Sequence, residues 1–257
     1  MKCSVRYLLL LLSLPVFAGL SYLPGKGGAQ PMPENSPYVR NLTMTSKFLA
    51  ADFVPDGNLS KKVWKEAPHV MIDHDRFGKT PLPDFAFQVA SLWTPNYVYF
   101  AYHCKYGTLN TYSGEDPAKE KWGLWDRDVV EVFINPHPEN WGHYFEFEIA
   151  PNNQWIDLAI DFNKQPMDAD ASWNSNFDHA AKIDEAHKVW VVEFRIPVKS
   201  MNAGPIHAGD EWRLNLYRCD GPGNDDHRRF MSWSSLPDGN NGSFHQPASF
   251  GIIKFVK

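Results

Sequence analysis

Along much of this chain apolar and polar residues alternate with a period of two, and no stretch sustains the period of an amphipathic helix. Residues 85–93 and 97–104 form two such runs, joined by Thr94-Pro95-Asn96, whose turn chemistry predicts a hairpin. Further runs cover 129–135, 143–150, 155–160, 189–196, 212–218 and 251–256, with Pro, Gly, Asn and Asp between them. Many short strands at this spacing predict an all-β fold, an antiparallel β-sandwich of immunoglobulin-like or jelly-roll-like kind. Helix is expected only as a single turn within 56–64.

Strand parity separates the faces, because successive side chains point to opposite sides. In 144–149 the phenylalanines and Ile149 share one side, and Tyr144, Glu146 and Glu148 the other. In 213–217 Leu214 and Leu216 oppose Arg213, Asn215 and Tyr217, so each strand is expected to have a core face and a polar face. The segment 128–133 breaks this pattern: Glu131 lies on the same side as Val129 and Phe133, in a strand apolar on both faces. A carboxylate there costs several kcal/mol unless it is hydrogen-bonded, which leaves two readings, a salt bridge with Arg213 or Arg195, or contact with a ligand.

Composition narrows the partners. A chain of 257 residues with 43% hydrophobic content can bury a full core without staples. A net charge of -5 gives no basic footprint for nucleic acid. Ten Trp and ten Tyr supply flat apolar faces with polar tips, suited to amphipathic ligands. Lys2 and Arg6 precede a short apolar stretch, residues 8–20, interrupted by Pro15. Residues 1–29 are therefore expected to be a signal peptide cleaved after 18 or 29, 30–46 a Pro/Gly-rich flexible leader, and 47–257 the folded domain. The mature protein is expected to be secreted or periplasmic and not membrane-spanning. Cleavage leaves Cys104 and Cys219, either as one disulfide or as two buried free thiols.

Five landmarks in order carry a resemblance: Asp56-Gly57-Asn58 through Val63-Trp64; Leu92-Trp93-Thr94-Pro95-Asn96-Tyr97; Trp125-Asp126-Arg127-Asp128 through Glu131; Val189 through Glu193 with Ile196-Pro197; and Ser232-Trp233 through Phe244 to Phe250-Gly251. From Lys47 onward the chain resembles a family 9 carbohydrate-binding module, the kind found appended to xylanases. The resemblance implies two aromatic rings, Trp125 and Phe244, clamping a terminal sugar of a β-glucan or xylan-type glycan such as cellulose or xylan. Glu131 and Asn241 would then bind its hydroxyls, with Glu148 and Tyr217 at further sugar-contacting positions. Glu148 and Tyr217 depart from the Arg and Gln usual there, and Phe244 from the usual Trp. No cofactor is required; structural calcium is implied, with Asp126/Asp128 or Asp225/Asp226 as candidate ligands. Trp64, Trp93, Trp190 and Trp233 are assigned to the core.

The function expected is that of a non-catalytic, exported binder of polysaccharide or oligosaccharide, assisting separate glycoside hydrolases in polysaccharide catabolism. Three alternatives stand beside it, one of them a purely structural or partner-binding surface protein. Glycoside hydrolysis needs paired carboxyl groups such as Glu146 and Glu148, but no catalytic domain accompanies them. An exported haem-binding sandwich has His103, His143 or Met231 as candidate axial ligands, without a Cys-x-x-Cys-His motif.

Overall fold

The computed structural model describes residues 38–114, 116–222, 227–238 and 242–257. The expected export signal, and the leader up to residue 37, lie outside the described residues. Among those described, no helix is long and apolar enough to cross a membrane.

Thirteen strands make up almost all the regular structure of the described residues: β1 (Thr43–Phe48), β2 (His69–Ile72), β3 (Phe87–Trp93), β4 (Tyr97–Lys105), β5 (Val129–Asn135), β6 (His143–Ile149), β7 (Trp155–Asp161), β8 (Asp168–Asp170), β9 (Asp178–Asp184), β10 (Val189–Pro197), β11 (Glu211–Asp220), β12 (Arg229–Ser232) and β13 (Gly251–Val256). They form one curled sheet in the order β8-β7-β6-β5-β11-β13-β1-β3-β4-β10-β9, with β12 beside β11 and β2 beside β3. The expected helical turn is Lys62–Lys65, which buries Trp64.

The sheet folds back on itself into the expected sandwich, but it is not wholly antiparallel. β1 runs parallel to both of its neighbours, β13 and β3, and so joins the two halves. This strand begins at Thr43, inside the segment expected to be leader. Its Ser46 hydroxyl meets that of Ser91 at 2.9 Å, so even the polar positions of β1 are satisfied in the interior.

The inner core lies between the halves. Val130, Val132 and Ile134 of β5, Phe147 of β6 and Leu214 and Leu216 of β11 face Phe100, Tyr102, Trp190 and Phe194 from the other half. Each such side chain contributes about 1.5–3 kcal/mol of burial. Two polar side chains reach partners across this core. Tyr102 donates its hydroxyl to the Glu131 carbonyl at 2.9 Å. Arg218, fully buried, donates to the carbonyls of Phe85 and Lys105 and to the Asp220 carboxylate. Trp64, Trp93, Trp190 and Trp233 are all buried, as expected. Cys104 and Cys219 are both buried and free. Cys104 belongs to the inner core and Cys219 to a second cluster on the outer face of the β6-β5-β11 half.

Candidate functional site

That outer face carries the candidate residues, and register explains why they converge. Glu131 on β5 is directly opposite Glu148 on β6 and Tyr217 on β11. Phe133 is opposite Glu146. Directly paired residues point to the same side, as do residues two apart. Glu131, Glu146, Glu148, Tyr217 and Cys219 therefore share one face, together with Phe133 and Tyr144.

The face expected to be polar is buried. Glu131 is 2% exposed, Glu146 3% and Glu148 0%. Strand parity could not show the cover, which comes from loops remote in sequence. Phe244 lies flat on Tyr217, with ring centroids 4.1 Å apart and planes at 11°. Tyr217 in turn donates its hydroxyl to the Phe244 carbonyl at 2.9 Å. His245 packs on Phe133 and meets the Tyr144 hydroxyl through Nδ1 at 2.7 Å. Phe230 sits edge-on to Phe244.

Burial sets the electrostatics. Desolvation, then the charge of Glu146, pushes the Glu131 carboxyl up to about 8. Desolvation and the charges of Glu131 and Glu146 hold Glu148 well above the ordinary carboxylate range. The buried Cys219 thiol is likewise raised, stays protonated, and donates to Glu131 Oε1 at 3.2 Å. The arginines expected to partner Glu131 are engaged elsewhere. Arg195 pairs with Asp178 at 2.7 Å, and Arg213 lies over Tyr38 and donates to the Arg40 carbonyl. The cation that bears on Glu131 is Arg228, whose charge favours the ionised form. Arg228 also donates to the carbonyls of Trp125, Arg127 and Gly221.

Trp125 stands at the edge of this cluster on a short turn, Leu124–Asp126. Gly123 opens the turn at φ +78°. The half-buried ring of Trp125 contacts Trp122 edge-on, centroids 5.0 Å apart. Trp122 is 56% exposed, a large solvated indole that reasoning from sequence passed over. Its signal was available, because it sits three residues before Trp125 among Lys121, Gly123 and Asp126. Glu131, Glu148 and Tyr217 thus come together on three neighbouring strands with Phe244 over Tyr217, and Trp125 stands at the edge; Asn241 lies outside the described residues.

The implied calcium ligands do not fit an ion at Asp126/Asp128. Asp128 gives one oxygen to the Asn110 amide and the other to that of Gly221, while Asp126 faces solvent. Desolvation, then the Asp220 charge, raises Asp128 to about 6. Asp225 and Asp226 lie outside the described residues. The haem candidates are dispersed: Met231 is in the inner core, His143 pairs with Asp161 at the β6-β7 edge, and His103 lies on β4 in the opposite half. A surface cleft of about 320 Å³ is lined by Tyr97, Pro197 and Lys199, and one of about 180 Å³ by Trp64, His69 and His103. Both belong to the other half of the sheet, so shape alone does not point to the acidic face.

Comparison with known proteins gives three findings. The sequence model of a family described as carbohydrate family 9 binding domain-like matches residues 55–257. Among solved structures, a Bacteroides uniformis protein provisionally assigned to carbohydrate binding superposes with a TM-score of 0.64 at 17% identity, covering 83% of this chain and 98% of that one. A family 9 carbohydrate-binding module from Caldicellulosiruptor kristjanssonii, solved with glucose, gives 0.58 at 17% identity, covering 83% and 95%. The same kind of module solved with cellotriose gives 0.56 at 17% identity, covering 84% and 94%. An "Extracellular protein" of Arthroderma benhamiae is 25% identical over 149 residues, which are 52% of this chain and 60% of that protein's length.

Proposed function

The chain belongs to the carbohydrate family 9 binding domain-like family, a family of non-catalytic binding modules, and from that membership we propose that it binds a glucose-type glycan at the face built around Trp125. The observation that carries this reading is the convergence of Trp125, Glu131, Glu148, Tyr217 and Phe244 from distant segments onto one face. Trp125 and Phe244 supply the apolar surfaces for a pyranose ring, and Trp122 extends the indole surface outward. Glu131, with Glu148 and Tyr217 beside it, supplies the groups for its hydroxyls. Glu131 and Glu148 are closed from solvent, so a sugar reaches them only when their cover, Phe244 with His245, moves aside. The glucose and cellotriose held by the structurally similar modules support a β-glucan fragment as ligand. The charged N-terminus followed by an apolar run supports export, and the extracellular relative agrees with it. Outside the cytoplasm such a protein retains polysaccharide fragments for separate hydrolases.

The test is calorimetric titration of the protein with glucose, cellobiose and xylobiose, with Trp fluorescence followed in parallel. Binding in the micromolar to millimolar range is expected, about 4–8 kcal/mol. Trp125→Ala should weaken it at least tenfold, about 1.4 kcal/mol, with the melting temperature retained. Saturable binding left unchanged in Trp125→Ala would place the ligand elsewhere.

A further inference from the structure

The three glutamates of the outer face present a chemical problem that a sugar alone does not solve. One carboxylate oxygen from each of Glu131, Glu146 and Glu148 lies within 4.8 Å of the others. Among the described residues, neither oxygen of Glu148 meets a donor from outside the cluster, nor does Glu146 Oε2, and the Glu146 and Glu148 carboxyls lie within hydrogen-bond reach of each other. Glu131 has the weak S–H donor of Cys219. His245 Nε2 stands 3.9 Å from Glu146 Oε2, at the rim.

Other buried carboxylates in this protein are treated differently. Glu193 accepts from the amides of Asp56 and Gly57, from the Trp64 indole and from the Lys61 ammonium. Asp220 is held by Arg218 and Arg229. Asp128 has two backbone amides. Where this fold buries a structural carboxylate it supplies donors, and at Glu148 it supplies none, so the cluster is built for an occupant that brings positive charge with it.

We propose that Glu131, Glu146 and Glu148 bind one divalent cation of the hard, oxygen-preferring class, Ca²⁺ or Mn²⁺. The donors are carboxylate oxygens, the set that such ions prefer. Two of the ligands, Glu131 and Glu148, are cross-strand partners, and Glu146 is two residues along the same strand. The cage therefore sits on hydrogen-bonded sheet rather than on loops. His245, with Nδ1 fixed by Tyr144, is placed to orient Glu146 or to join it as a ligand. A proton shared between Glu146 and Glu148 is the rival occupant. It bridges one pair and leaves the third carboxylate to a thiol, whereas a divalent ion engages all three.

The ion would engage Glu131 and Glu148, the side chains assigned above to sugar hydroxyls, and the two readings are told apart because ion binding is measured without sugar. Full-length protein stripped with chelator is titrated calorimetrically with CaCl₂ and with MnCl₂, and its thermal midpoint is followed in the same series. One ion at this site should raise the midpoint by several degrees. Glu148→Gln and Glu131→Gln, which keep side-chain volume, should each lose one ion equivalent or weaken it at least tenfold, with near-ultraviolet circular dichroism unchanged. A silent titration with an unmoved midpoint overturns the proposal in favour of the shared proton. So does a stoichiometry and affinity identical in wild type and both variants, which would locate the ion elsewhere. Sugar binding without ion binding defeats only the ion, and ion binding without sugar binding defeats only the sugar reading.

Discussion

Gly123 is the residue on which the presentation of Trp125 depends. Its φ of +78° is a left-handed conformation that costs a residue with a Cβ about 1–2 kcal/mol. The turn that follows places Trp125 at the edge of the acidic face, braced by Trp122 and by Arg228 on its carbonyl. A Cβ at position 123 would meet only Asp126 Oδ2 at 3.7 Å and the Tyr112 hydroxyl at 4.0 Å, ordinary contacts. The expense of Gly123→Ala is thus backbone strain rather than collision. It should lower stability by about 1 kcal/mol, a melting shift of about 2–4 °C, and weaken sugar binding by a larger factor than the fall in stability explains. Gly123→Asn should recover much of both, because Asn tolerates this conformation better. Melting curves and glucan titrations of the two variants check this; equal damage by Ala and Asn would assign the effect to the side chain instead.

At the scale of elements, β1 has more influence than its six residues suggest. It lies between β13 and β3 and is the ladder through which the two halves of the sheet are joined. A chain begun at residue 37, which keeps the buried Tyr38 and its bond to Asn135, should melt within a degree or two of the full-length protein. One begun at residue 49 leaves β13 and β3 with unpaired edges and should lose several kcal/mol or fail to fold cooperatively. Chemical denaturation of both truncations measures the difference, and equal midpoints would show that β1 is dispensable. Sequence reading missed this strand because its pattern, Thr-Met-Thr-Ser-Lys-Phe, is mixed and its interior Ser46 is matched by another buried serine, Ser91. β9 was missed for the opposite reason: as an outer strand it reads Asp-His-Ala-Ala-Lys-Ile-Asp and buries little. The strands that parity did recover, such as β5 and β13, lie inside the sheet and match their expected bounds. The same parity aligned Glu131, Glu148 and Tyr217. It put Glu146 and Glu148 on a polar face without revealing that the face is covered, because the cover, Phe244 and His245, comes from about a hundred residues later in the chain. Alternation gives a side chain's direction, and only tertiary structure says what lies in that direction.

Over the whole molecule, partly or fully desolvated titratable groups outside the acidic cluster set an opposed pH dependence. Desolvation, then the charge of Asp157, raises Glu120 to about 7, and Asp128 stands at about 6. Both are raised above their unfolded values, so the folded protein keeps protons that the unfolded chain has released. Their stabilising contribution is fully present below about pH 4 and is lost as the pH rises through about 6 and 7. His179, packed on Trp155 and Phe177, runs the other way: desolvation lowers it to about 4. Its contribution is present above about pH 6.5 and is lost as the pH falls towards 4, because the unfolded chain takes up a proton that the folded one refuses. The two carboxyls and the histidine oppose one another between about pH 4 and 6.5, and above that window the carboxyl loss acts alone. Wild-type protein should therefore be less stable at pH 8 than at pH 6. Glu120→Gln should recover about 1 kcal/mol of that difference, after allowance for the partial exposure of the group. His179→Gln should flatten the acid limb between pH 6.5 and 4 while leaving the alkaline limb in place. Urea denaturation midpoints at pH 5, 6 and 8 for the three proteins separate the limbs. A wild-type midpoint that rises from pH 6 to pH 8 would mean that Glu120 and Asp128 ionise in the folded state at no cost, and that the loops covering them open readily to water.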